Sequence, residues 1–259
     1  MTQPVLAHTE FGSRYYDDPI SGKTLPSVTT VTKSFRAWGL EAWKVNVTAD
    51  RAVDNIAELM ESVERDPVAA KKWLKAAASD IAEMSSGMGD RVHSVMERYA
   101  LTGTLKKVPP VFDKPIREFI EHCRPEYYSA ELSVFNPKEG YAGTLDAIAL
   151  VDIPSGLSST SVVEEKVCLI DYKTTKSVYP FEIGMQLAAL SHCEYGVDQD
   201  GQEVEIPQPL EEGLIVHFRP DSPVELFRFD LEAPYRAFVG LLHAFEGDKE
   251  ARKWMKRVR

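Results

Sequence analysis

The stretch VCLIDYKTTK, residues 167–176, decides how this chain is read. It begins as an apolar, β-forming run and ends by placing an aspartate and a lysine where a sheet would otherwise stay apolar. As a strand, its side chains alternate faces, so Val167, Leu169, Asp171 and Lys173 point one way. An acid and a base then share a face, about 6 to 7 Å apart along the strand. Alone, such a D-x-K is an ordinary salt-bridged strand end. It becomes a site only if further acids gather beside it, because a buried carboxylate is costly unless paired or bound to a metal.

The neighbouring segments supply them. YYSAELSVFN (127–136), GYAGTLDAIALVDI (140–153) and VVEEKVCLIDYKTT (162–175) alternate in hydropathy and are expected to form an antiparallel meander. The Ser-rich PSGLSSTS between the last two reads as a hairpin loop, not a linker. Each strand offers an acid in apolar surroundings near the lysine's end of the meander: Glu131, Asp146 and Asp171. One such acid is most often an edge or solvent-facing group; three on adjacent strands beside a lysine is a rarer coincidence. Carboxylate oxygens are what Mg²⁺ prefers, together with waters and phosphate oxygens. A metal held this way polarises a phosphodiester and lowers the pKa of a water. Lys173 would hold or activate that water and offset developing charge, a role suited to a compact ammonium.

Before the strands the pattern is helical. Residues 40–63, 67–84 and 86–100 repeat apolar positions at helical spacing, Asp66 precedes Pro67 as an N-cap, and DKPIREFIEHCR (113–124) is a further helix. Residues 14–34 read as two short β segments around DDPISGK, with SVTTV β-branched. After the strands, FEIGMQLAALSHCEYG (181–196) reads as a helix, EEGLIVHFRP and PVELFRFDL as strands, and 231–258 as helical with a break near Gly247.

Composition bounds the rest. At 259 residues, with 44% hydrophobic residues, the chain has enough to bury a substantial core. No run approaches the roughly 18 apolar residues of a membrane span, and the amino terminus shows no export or organelle pattern, so a cytoplasmic protein with no membrane partner is expected. A net charge of −10 argues against coating long nucleic acid but not against a nuclease, whose metal site gathers acids while basic residues cluster elsewhere.

With these residues in hand, Glu131, the GTLD of Asp146 and the DYK of 171–173 resemble the PD-(D/E)XK nuclease core, with Asp in the D/E position. GMGDRVHSVMERY further resembles the glycine-x-x-x-histidine helix of the RecB-like exonucleases, at Gly89 and His93. The resemblance covers roughly residues 25–195 and extends to the segment LPSVTTVTKSF with WGLEAW. It implies an α/β, restriction-endonuclease-like mixed sheet flanked by helices in a single nuclease domain. A helical subdomain (38–124) would carry His93 and arch over DNA, followed by a sheet core (125–230) and a helical segment (231–259). It also implies that His93, Asp146 and Asp171 hold Mg²⁺ or Mn²⁺, with the Tyr172 backbone carbonyl as a further ligand. Glu131 would serve a second metal or a water around the first. Gln186 would help to position DNA or the lysine, although Leu190 stands where the family has a tyrosine. By its neighbours alone, Val92, Val95 and Met96, His93 reads as a core histidine, a reading that the other motifs reverse, and Ser27, Thr29 and Thr30 are β-formers. Three scattered cysteines do not make the four-thiolate iron-sulfur site of some relatives.

The function this implies is metal-dependent, end-requiring hydrolysis of single-stranded or frayed DNA, in phage or bacterial recombination, repair or replication. Trp38, Trp43 and Trp73 would stack on bases, and Lys71, Lys72, Lys75, Lys106 and Lys107 would meet phosphates. The alternatives are an endonuclease, an inactive nucleic-acid-binding module of the same fold, and an unrelated two-carboxylate glycosidase, whose residue order this chain does not match.

Overall fold

Where the hydropathy period changes, near residue 125, helices give way to a long sheet. The computed structural model describes residues 6–254 apart from 11, 36, 155–161, 199, 208–209 and 211. The expected Ser-rich hairpin loop therefore lies outside the described residues. Among them no helix is long and apolar enough to cross a membrane.

The chain opens with a three-stranded antiparallel sheet, β1 (Ala7–Glu10), β2 (Ser13–Asp17) and β3 (Thr24–Pro26). The β-branched run after it was expected to be a strand and is instead helix α1 (Val28–Phe35). The cause is local: Ser27 Oγ accepts from Thr30 N at 3.0 Å and Ser27 O from Val31 N at 3.1 Å, an N-cap that outweighs β propensity. Val28, Val31 and Thr32, spaced for one helix face, are then buried.

The helices that follow are α2 (Ala37–Asp54), α3 (Ile56–Arg65), α4 (Pro67–Lys75), α5 (Ala77–Thr102) and α6 (Pro110–Cys123). Asp66 caps α4 as expected, its carboxylate accepting from Val68 N and Ala69 N. The expected interruption between 84 and 86 is absent: α5 runs through Gly87 and Gly89 and ends only where Gly103 takes φ +65°. Residues Phe35–Gly89 form one unit of internal contacts, and Asp90 onward belongs with the sheet. A helical subdomain of 38–124 is thus too long. His93 belongs with the sheet, because the second half of α5 buries Val92, Val95 and Met96 while Ile81 and Met84 in its first half are exposed.

The main sheet is mixed and seven-stranded, in the order β10-β9-β6-β5-β4-β7-β8, and with its helices makes an α/β fold. β4 (Glu126–Asn136), β5 (Tyr141–Pro154) and β6 (Val163–Lys173) are the expected antiparallel meander. Helix α7 (Pro180–Ser191) is shorter than expected: Tyr195–Val197 is β7, pairing with β4, where Tyr195 stacks on Phe135 at 5.8 Å. A Cβ at Gly196 would lie 2.5 Å from Leu132, so only glycine permits this approach. After β8 (Glu203–Val204), β9 (Glu212–His217) runs parallel to β6, and β10 (Glu225–Phe229) closes the edge. Helix α8 (Glu232–Trp254) passes unbroken through Gly247, over which the Trp254 ring packs. Leu169, Ile215, Leu187 and Phe238 join sheet, α7 and α8 in one core, while Phe119 of α6 meets Tyr172 and Phe218.

Candidate metal centre

The β5–β6 ladder stops at Ala147↔Ile170, and Asp171, Tyr172 and Lys173 pair onward only with β9. The amide freed by this ending is taken by a side chain: Tyr172 N donates to Asp146 Oδ2 at 2.8 Å. Strand alternation then separates the three residues. Tyr172 turns into the aromatic layer, stacking on Phe218 at 5.9 Å and touching Tyr127 through their hydroxyls at 2.9 Å. Asp171 and Lys173 share the other face, with Lys173 Nζ 2.8 Å from Oδ1 and 2.6 Å from Oδ2. Gln186 of α7 donates to the same Oδ1 at 3.3 Å.

His93 reaches this point from α5. Its Nδ1 lies 3.4 Å from Asp146 Oδ2 and 4.0 Å from Glu131 Oε1, and its Nε2 lies 2.9 Å from the Tyr172 carbonyl. Glu131 sits inside β4 with φ +49°, a left-handed conformation that costs a non-glycine residue on the order of 1 to 3 kcal/mol and persists only where its surroundings demand it. His93, Glu131 and Asp146 each offer a ligand atom, all within 4.8 Å of one another. One imidazole nitrogen and two carboxylates could together hold a divalent cation.

The expected residues are therefore brought together, in a different grouping. Glu131, expected at a second metal or at a water around the first, stands with His93 and Asp146. Asp171, expected with those two, is held by Lys173, and its buried Oδ2 has that ion pair but no hydrogen bond of good geometry. The Tyr172 carbonyl lies against the ring of His93.

Burial and mutual charge together set the protonation states. Burial opposes a charge on His93, but the Asp146 carboxylate outweighs it and lifts the imidazole to about 9. Burial pushes Glu131 up to about 7, with Asp146 adding to the effect. Asp146 itself is held low, because His93 and Lys173 overcome its burial. Burial also works against the Lys173 ammonium, yet Asp171 and Asp146 raise its pKa, so it stays charged.

Beside this group lies a recess of about 30 Å³ lined by Arg14, Tyr16, Ser27, Thr29, Thr144 and Gln186. Ser27 and Thr29, β-formers by residue type, thus line a recess, and the sequence signal for Ser27 is its place as a capping residue after Pro26. Leu190 lines the same recess, and its side chain fills the space that a Cβ on Gly143 would occupy. In the helical unit, Trp73 is 37% exposed with the Arg51 guanidinium 5.3 Å over its ring, and Lys71, Lys72 and Lys75 are exposed. Trp43 is partly buried, and the side chain of Trp38 lies outside the described residues. No family model matches the chain, and no curated protein matches it.

Proposed function

We propose that this chain is a metal-dependent deoxyribonuclease that hydrolyses phosphodiester bonds from the ends of single-stranded or frayed DNA. The observation that carries the reading is the meeting of two groups at the end of β6: three ligand atoms from His93, Glu131 and Asp146 within 4.8 Å, and the Lys173–Asp171 ion pair beside them. Bound there, Mg²⁺ or Mn²⁺ would supply Lewis-acid polarisation of a phosphoryl oxygen and a water of lowered pKa.

The protein's own residues do the rest. A lysine that stays charged is no general base; Lys173 aims the attacking water through its ammonium protons and offsets the negative charge that grows on the phosphorus oxygens. Asp171 fixes that ammonium with both oxygens, and Gln186 steadies the carboxylate from α7. The Asp146 carboxylate aligns His93 and holds the Tyr172 amide, tying the helix to the strand end.

Hydrolysis of labelled DNA with Mg²⁺ or Mn²⁺, and none in excess EDTA, is the expected result. Lys173→Ala should lower kcat by about 10² to 10³, the cost of removing one charged donor from a transition state. Its Mn²⁺ affinity should stay near that of the parent, since the lysine ligates nothing. Full activity in EDTA, or a Lys173→Ala variant at the parental rate, overturns the reading.

A further inference from the structure

Strand register brings another ionisable side chain beside Lys173. β6 and β9 pair Lys173 with His217, and β9 and β10 pair His217 with Glu225. Directly paired residues share a face, so Glu225, His217 and Lys173 form a row across three strands. His217 is buried, and both of its ring nitrogens meet acceptors: Nδ1 lies 2.9 Å from Glu225 Oε2, and Nε2 lies 2.7 Å from the Thr175 carbonyl. Arg219 holds the other oxygen of Glu225 at 2.9 Å, so the carboxylate that orients the ring is itself fixed. Thr175 lies two residues beyond Lys173, at the start of a surface segment in which residues 175–177 are exposed. Within that segment Thr175 Oγ1 donates to Ser177 O at 2.9 Å, so holding Thr175 also restrains Ser177.

We propose that His217, oriented by Glu225, is a positioning residue: by donating from Nε2 to the Thr175 carbonyl it fixes the main chain leaving β6, and with it the place of the Lys173 ammonium. The catalytic consequence rests on the nuclease reading; the tether does not. The proposal assigns the work to one atom, which separates it from a buried histidine that merely fills space. A glutamine places its amide nitrogen near the position of Nε2, whereas an asparagine places it near Nδ1. His217→Gln keeps the bond to Thr175, and His217→Asn keeps only the bond to Glu225.

The test compares these two variants by two readouts, after thermal unfolding has shown both to be folded. The first needs no substrate: tryptic cleavage after Lys176, followed by mass spectrometry. It should match the parent in His217→Gln and rise at least about tenfold in His217→Asn, as loss of a buried hydrogen bond predicts. The second is Mn²⁺-dependent hydrolysis of a single-stranded oligonucleotide. His217→Asn should lose about tenfold or more in kcat with KM little changed, while His217→Gln stays near the parent, because a misplaced ammonium weakens the transition state and not the binding of the strand. Equal behaviour of the two variants in the tryptic comparison overturns the tether. Equal kcat values overturn its catalytic role. A parent that hydrolyses no DNA overturns the nuclease reading and the catalytic half with it, while the tryptic comparison still decides the tether.

Discussion

His93 and Glu131 both hold their protons more tightly in the folded chain than free side chains do, His93 to about 9 from 6.5 and Glu131 to about 7 from 4.5. A raised pKa gives stability that is complete below the unfolded value and lost as pH rises through the folded one. Without metal, Glu131 therefore gives up its contribution as pH rises towards 7, and His93 as pH rises towards 9. A metal ion must displace these protons. Mn²⁺ affinity should rise about tenfold per pH unit between 7 and 9, where one proton leaves, more steeply below 7, where Glu131 adds a second, and level off above 9. Titration calorimetry in buffers of different ionisation enthalpy counts the protons. At pH 8 the parent should release about one and His93→Gln about none; equal release by both returns His93 to the role of a core histidine. The alternation of VCLIDYK was enough to foresee the Lys173–Asp171 pair. It could not foresee that Glu131 would turn to the histidine, because that depends on a left-handed φ in β4 that no residue in the sequence announces.

Elements with a strong period were legible, and those decided by one local bond or one close approach were not. The β4–β5–β6 meander and the Asp66 cap of α4 stand where the sequence puts them. Helix α1 was hidden because a serine cap overrode five β-branched residues, and β7 because its pairing depends on Gly196 admitting Leu132. Helix α4 carries Lys71, Lys72 and Lys75, all exposed, on a chain of net charge −10. If these lysines meet the phosphates of a single strand, each contributes about 0.7 to the slope of log affinity against log salt. Replacing all three by Ala should make that slope shallower by up to about 2, read from binding of a labelled oligonucleotide to Lys173→Ala, which spares the strand from cleavage. An unchanged slope makes them an ordinary solvated face.

At the scale of the whole molecule, the α/β class and the mixed sheet were legible from the change of period, whereas the division after Gly89 was not, since a continuous helix crosses it. Whether a strand is taken by its end is the part of the proposed function that a closed substrate tests. A linear single strand should be degraded, while a covalently closed circle of the same length in the same Mn²⁺ buffer survives; equal rates make the protein an endonuclease. The strained backbone at Glu131 also bears on how the protein responds to selection. Asn accepts the left-handed conformation more readily and removes a buried acid that Asp146 disfavours, so Glu131→Asn should raise the melting temperature in EDTA by about 2 to 4 °C for each kcal/mol relieved, while weakening metal binding. A lower melting temperature would place the strain elsewhere. Breeding this protein for heat resistance alone would thus discard the proposed metal ligand early, and a thermostable lineage that kept Glu131 would have to find its gains far from β4.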